Sequence, residues 1–261
     1  MGRFRVKRSW LKDCCYHISH RCVRNAKVLR FAHGRNRFRQ RLREMANKYP
    51  VQVLNYLVGT QGYRLLLAAP DPATLPACLA FLNSTTAQEY CARKGWEGAM
   101  WKGKFNVTLV QSRAQALRCA LDMDFAMLRE QPADLFHPLL WEHSGHLELT
   151  GVRRRNRLID RQALRRWFRD VPWLEFREWY IQASNGKWNS QEYAAEDWWE
   201  KALIVGEQAV CEQVADSIPE SRRSLCVYPA LTAVPTLENQ FAWSVITAPS
   251  YKRSYILSSQ P

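Results

Sequence analysis

Residues 56–67, YLVGTQGYRLLL, contain two apolar runs separated by a short turn. Gly59 and Gly62 bound this turn, and the second run leads from a Tyr-Arg pair into three consecutive leucines. Short apolar runs joined by a glycine-containing turn predict two buried strands of a hairpin. The arginine of the pair, Arg64, therefore lies in a predicted buried strand, and its role bears on whether the chain is an enzyme.

The segments on either side of this hairpin alternate between strands and helices. Strands are predicted at 16–23, 51–58, 63–69 and 105–110, and helices at 36–49, from Asp71 towards Arg93, and from Ser112 to Leu128. The order strand, helix, strand, strand, helix, strand, helix predicts an α+β fold. We expect a ferredoxin-like antiparallel sheet with helices on one face, followed by a C-terminal helical extension.

A change of composition around Pro132, Pro138 and Ser144 divides the chain. We predict a first domain over 1–150, a helical extension rich in basic residues and tryptophan over 151–218, and a loosely ordered arm over 219–261. Helices within the extension are predicted at 160–169, 173–184 and 196–216.

The composition is that of a folded globular protein, with 47% hydrophobic and 12% aromatic residues among 261. No apolar run approaches the roughly 18 residues of a membrane helix, and the basic N-terminus lacks the apolar core of a signal peptide. We therefore expect a soluble, cytoplasmic protein with no membrane partner. The eight cysteines form no C-x-x-C pair, so we expect no zinc site, no disulfide framework and no cofactor.

Basic residues are concentrated in two clusters within a net charge of +14. Residues 1–43 hold fourteen Lys or Arg against a single acid, Asp13, and a second arginine-rich cluster runs from Arg153 to Arg169. Guanidinium groups bind phosphate in a bidentate manner. Two arginine-dominated clusters in one chain therefore favour a nucleic acid as the partner.

Four segments resemble a known family: YHISHRCV at 16–23, TAQEYCARKG at 86–95, GAMWKGKF at 98–105 and NRLIDRQAL at 156–164. Over about residues 10–215, in the same order, the chain resembles the REP-associated tyrosine transposases, which are single-tyrosine transposases of the HUH type. The resemblance implies the ferredoxin-like sheet and a partner of single-stranded DNA folded into imperfect hairpins. It also implies a His-x-His pair that holds a divalent metal ion, and a helical tyrosine that attacks the scissile phosphate.

The chain departs from the family at both parts of this chemistry. The His-x-His slots hold Gly62 and Arg64, and neither side chain can bind a metal ion. The slot of the nucleophilic tyrosine falls on Asp122, or on Leu121 if the register shifts by one. The resemblance thus implies an inactive member with no catalytic or metal-binding residues. For Arg64 two readings stay open: a contact to the nucleic-acid backbone, or a decayed site whose arginine extends to solvent.

The sequence therefore predicts a non-catalytic nucleic-acid-binding protein that acts as a regulator or an architectural subunit. It would bind hairpin or single-stranded DNA, or structured RNA, because phosphate contacts and stacking do not distinguish the two. The predicted binding residues are Arg3, Arg5, Lys7, Arg8, Arg21, Arg24, Arg64, Trp101, Lys102, Lys104, Arg153, Arg154, Arg155 and Arg157. For the Trp101 group, packing between a helix and a strand is an equal alternative to base stacking.

Two other functions remain open. The first is an active DNA-hairpin nuclease or strand transferase with relocated catalytic residues. The second is a protein-docking subunit of a larger nucleoprotein complex, with the acidic, tryptophan-containing segment from Glu192 to Glu200 as the docking surface. His143 and His146 are a weaker candidate for a metal site in either case.

Overall fold

A six-stranded sheet organises the part of the chain that the structure describes. The computed structural model describes residues 14–23, 26, 28–130, 137–168, 170–190, 196, 198–216 and 226–227. Its strands are β1 (Cys15–Arg21), β2 (Gln52–Val58), β3 (Gly62–Ala68), β4 (Asn106–Val110), β5 (Ile204–Val205) and β6 (Cys226–Val227). They are arranged in the order β2-β3-β1-β4-β5-β6, with the first four antiparallel and the last two parallel to their neighbours.

Polar capping residues mark the start of some of the helices. They are α1 (Ala32–Lys48), α2 (Leu75–Lys94), α3 (Arg113–Glu130), α4 (His146–Leu149), α5 (Arg161–Trp167), α6 (Trp173–Ser190), α7 (Trp198–Lys201) and α8 (Gln208–Asp216). A short 3₁₀ turn, Pro72–Thr74, precedes α2 and is capped by the Asp71 side chain. Ser112 and Asp160 accept hydrogen bonds from the first turns of α3 and α5, as expected of N-cap residues.

Adjacent residues of β3 show how the two faces of the sheet are covered. The Tyr63 hydroxyl donates to Asn83 of α2, and its ring lies 4.7 Å from Phe38 of α1. Arg64 points the other way and donates to Glu130 of α3 and Glu200 of α7. We call these the Tyr63 face and the Arg64 face. The predicted ferredoxin-like α+β fold is confirmed, and α1 and α2 share one face, but α3 and α7 cover the other.

The C-terminal part of the fold differs from the sequence prediction. The single helix predicted over 196–216 is wrong, because β5 separates α7 from α8 and extends the sheet beside β4. The amide of Leu109 donates to Leu203 O at 2.8 Å, and the amide of Gln111 donates to Val205 O at 3.0 Å. The strand β6 lies within the segment predicted as an arm, so strands from all three predicted segments belong to one sheet.

One hydrophobic core joins the sheet to the C-terminal helices. Buried leucines of β2 and β3 belong to the same cluster as Phe168, Phe176 and Tyr180 from the region of α5 and α6. The helices of the C-terminal extension therefore pack on the sheet rather than forming a second core. Across the described ranges, no helix is both long and apolar enough to cross a membrane.

Candidate nucleic-acid interface

The two positions that the resemblance assigns to a metal-binding pair, 62 and 64, are closed to a metal ion. An ideal Cβ on Gly62 would lie 2.3 Å from His20 O and 3.0 Å from Arg21 Cα, so a side chain at this position would collide with the backbone of β1. Arg64 offers only N–H donors and no lone pair. The residues present therefore do not fit the metal ion that the family resemblance implies.

Arg64 is held inside the protein by two carboxylates. Its Nη1 donates to Glu130 Oε1 at 2.8 Å and its Nη2 to Glu200 Oε1 at 2.9 Å, and only 14% of its side chain is exposed. Burial alone would lower the pKa of Arg64, but the charges of Glu130 and Glu200 raise it above the usual value. The positive charge is thus compensated internally instead of being presented to solvent.

The position that the resemblance assigns to the nucleophile lies beside Arg64 on the same face. Asp122 is buried in α3, accepts a 3.0 Å hydrogen bond from Arg129, and its charge contributes to the raised pKa of Arg64. His17 of β1 donates from Nδ1 to Trp199 O at 2.8 Å. Burial, followed by the nearby Arg64 charge, lowers the pKa of His17 to about 4. We call Arg64, Glu130, Glu200, Asp122 and His17 the Arg64 cluster.

Other histidine and acid groups serve internal hydrogen bonding. His146 contacts Asp124 Oδ2 through Nδ1 at 2.7 Å, and Asp124 also accepts from Asn55 and Tyr180. This places His146 in a buried network between β2, α3 and α6. No group of three or more His, Cys, Asp or Glu side chains within the described residues could hold a metal ion.

The acidic segment predicted to dock a partner packs on its own protein where the structure describes it. Trp198 and Trp199 are buried, and Glu196 accepts from Arg118 and from the Trp199 indole, both at 2.8 Å. Glu200 pairs with both Arg64 and Arg21. These side chains therefore face the interior, whereas residues 192–195 and 197 are not among those described.

The predicted stacking group divides into a packed tryptophan and two exposed lysines. The Trp101 ring stacks on His20 with centroids 4.8 Å apart, and its indole donates to Asn83 O at 3.0 Å. Lys102 and Lys104 are exposed. The packing alternative thus accounts for Trp101, and the lysines remain candidates for phosphate contact.

The N-terminal candidates are mostly beyond the described ranges. These are Arg3, Arg5, Lys7, Arg8 and Arg24. Arg21 is described, and its side chain is 62% exposed while it pairs with Glu200 at 2.9 Å.

Helix α1 carries arginines on two sides, and the two sets have different partners. Arg37 and Arg41 both pair with Glu89 of α2, the latter at 3.1 Å, and Arg41 also pairs with Glu44. The second set has a spacing of four residues, which places its members on one side of a helix. This set is Arg35, Arg39 and Arg43. As far as the structure describes the chain, none of these three has a carboxylate oxygen within 4.0 Å.

The second set lies beside the loop that contains the other basic cluster. Arg43 Nη2 donates to Asn156 O at 2.8 Å, so the end of α1 touches residues 153–157. Tyr56 joins the two further: Arg39 lies 5.8 Å from its ring, and Arg153 donates to its hydroxyl at 2.8 Å. Two arginine clusters more than a hundred residues apart in sequence therefore form one surface.

Three loop arginines point outward, and one points inward. Arg154, Arg155 and Arg157 are exposed, and among the described residues none of them forms an ion pair. Arg153 is only 16% exposed and is used for contacts to Tyr56, Ser144 and Glu142. Of the four predicted loop residues, Arg153 thus supports the loop. We define the arginine ridge as Arg35, Arg39, Arg43, Arg154, Arg155 and Arg157.

The loop is anchored at both of its ends. Glu148 is 1% exposed and accepts from the amides of Leu158 and Ile159 at 2.8 and 2.9 Å and from the Tyr56 hydroxyl at 2.7 Å. Arg153 fixes the opposite end through its contacts to Tyr56. A loop fixed in this way loses little conformational entropy when it binds a ligand.

His143 is a buried histidine that lies close to Arg35, Arg39 and Arg153. Burial is the largest cause of its lowered pKa, followed by the charges of Arg35, Arg39 and Arg153, which together bring the pKa to about 3. Arg35 and Arg39 of the ridge, and the neighbouring Arg153, therefore lie close enough to His143 to disfavour its protonated form, in addition to the effect of burial. Such a surface attracts phosphate groups.

Comparison with known proteins finds similarity to solved structures but not to family models or curated proteins. No protein-family model matches the chain, and no curated protein matches it. A solved structure of a REP-associated tyrosine transposase bound to a REP hairpin is similar with a TM-score of 0.48 and 10% identity, over 61% of this chain and 91% of the other. A protein assigned as a transposase from Deinococcus radiodurans is similar with a TM-score of 0.31 and 19% identity, over 41% of this chain and 82% of the other.

Proposed function

We propose that the protein binds structured nucleic acid through the arginine ridge and does not cut it. The ligand is a DNA hairpin or the single strand beside it, as the sequence resemblance implies, and the protein acts as a regulator or an architectural subunit. The observation that carries the proposal is the contact of Arg43 with Asn156, which joins α1 and the loop into one basic surface.

The charge distribution supports binding to phosphate. The ridge arginines have no ion-pair partner in the described part of the chain, whereas Arg37 and Arg41 on the other side of α1 are paired with Glu89. Arg35 and Arg43 are held by hydrogen bonds to backbone carbonyl groups, so they contact phosphate with a small loss of side-chain entropy. The six ridge arginines are comparable in number to the phosphate contacts of many nucleic-acid complexes.

The Arg64 cluster supports binding without cleavage. The slots of the family's metal ligands hold a glycine packed on β1 and an arginine held by Glu130 and Glu200. The nucleophile slot holds Asp122, which pairs with Arg129. A carboxylate engaged with a guanidinium is a weak nucleophile towards a phosphodiester, which is itself an anion.

Fluorescence anisotropy with a labelled DNA hairpin, measured over a range of salt concentrations, tests the proposal. We expect the slope of log K against log salt to decrease by about 2 to 3 when Arg154, Arg155 and Arg157 are all changed to Gln, because each lost phosphate contact contributes about 0.7 to 0.9. Measuring the affinity for the same hairpin made of RNA shows whether the protein prefers DNA or RNA. If the wild-type protein binds neither hairpin, the proposal is wrong.

Cleavage is tested separately from binding. The hairpin is incubated with the protein and Mg²⁺ or Mn²⁺ and then separated under denaturing conditions. We expect intact DNA and no covalent adduct. A shortened strand or an adduct that survives denaturation would overturn the non-catalytic part of the proposal and favour an enzyme with relocated residues.

A further inference from the structure

An exposed aromatic residue continues the arginine ridge at the start of α1. Phe31 lies immediately before the helix, and its carbonyl oxygen accepts from the amide of Arg35 at 3.2 Å, so it adjoins the end of the ridge. Its side chain is 63% exposed, although it is among the largest apolar residues of the chain. The guanidinium of Arg30 lies 5.9 Å from its ring.

Helix capping gives no reason for a phenylalanine at this position. Phe31 is the N-cap residue of α1, with extended backbone angles of −104° and 149°, and its side chain makes no capping hydrogen bond. Serine, threonine, aspartate and asparagine stabilise a helix start, and phenylalanine does not. The residue therefore forgoes a capping hydrogen bond and also leaves an apolar ring in contact with water, without the free energy that its burial would contribute.

The backbone that carries Phe31 is firmly held. An ideal Cβ on Gly34 would lie 1.7 Å from Val28 O, so the first turn of α1 packs directly against the preceding turn. Arg35 donates to Leu29 O at 2.9 Å and to Arg30 O at 2.8 Å, and its guanidinium lies 4.7 Å from the Trp141 ring. The ring of Phe31 is thus presented from a rigid base beside the ridge.

We propose that Phe31 stacks against an unpaired base of the bound nucleic acid. This inference rests on the proposed function and names the part of the ligand that the ridge alone does not define. Successive ridge arginines on α1 are about 6 Å apart along the helix, which is close to the spacing of phosphates along a strand. A strand whose phosphates follow the ridge brings a base to Phe31 at its end, where an aromatic face stacks on any base. The preferred ligand therefore contains an unpaired base next to a stem.

Two DNA probes test this assignment. The first is a stem-loop with 2-aminopurine at an unpaired position next to the stem, and the second is a blunt, fully paired duplex of the same stem sequence. Binding is measured by anisotropy, and base stacking by the fluorescence of 2-aminopurine, which is quenched when the base stacks. If RNA is the preferred sugar, both probes are made of RNA.

Phe31→Ser separates binding from folding, because serine is a favourable N-cap residue. We expect this variant to keep or raise the melting temperature, to bind the stem-loop about 5- to 100-fold more weakly, and to bind the duplex as the wild type does. Phe31→Trp should retain both the affinity and the quenching. Leu174→Ser is the matched control, because Leu174 is 61% exposed on α6, and its removal should leave binding unchanged.

The results distinguish failure of this inference from failure of the proposed function. Wild-type affinity of Phe31→Ser for both probes, or an equal loss for both, would overturn the stacking role and leave ridge binding intact. If the wild-type protein binds neither probe, the proposed function itself is wrong.

Discussion

Arg64 of β3 donates to Glu130 at the end of α3 with an Nη1–Oε1 distance of 2.8 Å. The ion pair joins the centre of the sheet to the last turn of the helix that covers it, and Glu200 completes it from α7. A group that compensates two partly buried carboxylates is a structural element of the Arg64 face. This explains a charged residue in a strand that is otherwise apolar.

Replacement of Arg64 by Ala should affect stability and not binding. The change leaves Glu130 without its arginine partner and Glu200 with Arg21 alone, which should lower the free energy of unfolding by about 1 to 3 kcal/mol in a denaturant titration. The triple variant R64L/E130Q/E200Q should recover part of this loss. A lower affinity for the hairpin together with a smaller salt slope, in an intact fold, would show that Arg64 contacts phosphate after all.

The close packing of Gly62 on β1 leads us to expect that a metal-binding His-x-His pair cannot be built at positions 62 and 64 by substitution alone. In G62H/R64H, the side chain at position 62 meets backbone atoms of His20 and Arg21 that cannot move without disturbing β1. We expect Gly62→Ala alone to lower the free energy of unfolding by about 1 to 3 kcal/mol in the same titration. Calorimetry of G62H/R64H with Mn²⁺ should show no specific binding, and a stoichiometric site would contradict this expectation.

Two buried histidines predict a loss of stability at acidic pH. The pKa is lowered from 6.5 to about 4 for His17 and to about 3 for His143, in both cases chiefly by burial. Between the folded and unfolded pKa values, the unfolded chain binds more protons than the folded protein does. The free energy of unfolding that these histidines contribute is therefore fully present above pH 6.5 and decreases as the pH falls below it. The expected slope is up to about 1.4 kcal/mol per pH unit for each histidine.

A single substitution isolates the contribution of His17. Asparagine keeps an N–H donor near the position of Nδ1 and so preserves the hydrogen bond to Trp199 O, but it does not titrate. Denaturant titrations of His17→Asn at several pH values between 4 and 6.5 should show a shallower dependence than those of the wild type. Identical slopes would mean that His17 is not the group that titrates.

The sequence was sufficient to predict the central fold. The apolar runs around Gly59 and Gly62 correspond to β2 and β3, and the capping residue Ser112 marks the start of α3. These signals are local, because strand alternation and capping depend on neighbouring residues. The helix predicted over 196–216 failed because the short apolar run around Ile204 is compatible with either a helix or a strand, and only its contact with β4 decides between them.

The site depends on contacts between residues that are distant in sequence. Glu130 and Glu200 are 66 and 136 residues from Arg64, so no sequence pattern shows that its charge is compensated. The spacing of Arg35, Arg39 and Arg43 is visible in the sequence. The pairing of the arginines on the other side of α1 with Glu89 is not. Arg153 belongs to a basic run, and only its contact with Tyr56 shows that it points inward.

Substitution should show that Trp101 contributes to stability and that Lys102 and Lys104 do not. Trp101→Ala removes a ring that stacks on His20 and a hydrogen bond to Asn83 O, and it should cost about 2 to 3 kcal/mol of unfolding free energy. Lys102→Gln/Lys104→Gln should leave the melting temperature unchanged, because both side chains are exposed. Loss of hairpin affinity in a stably folded Trp101→Leu variant, which lacks an aromatic face, would instead favour base stacking by Trp101.

The two sides of α1 provide a matched test of the ridge. Arg39→Gln and Arg37→Gln change the net charge equally and lie two residues apart on the same helix, but only Arg37 is paired with Glu89. If the ridge binds phosphate, Arg39→Gln should weaken hairpin binding and reduce the salt slope by about 0.7 to 0.9, and Arg37→Gln should leave both near the wild-type values. Thermal melting of both variants checks that the fold is intact. Equal effects of the two substitutions would mean that the total charge of the protein, and not the arginine ridge, determines its affinity for nucleic acid.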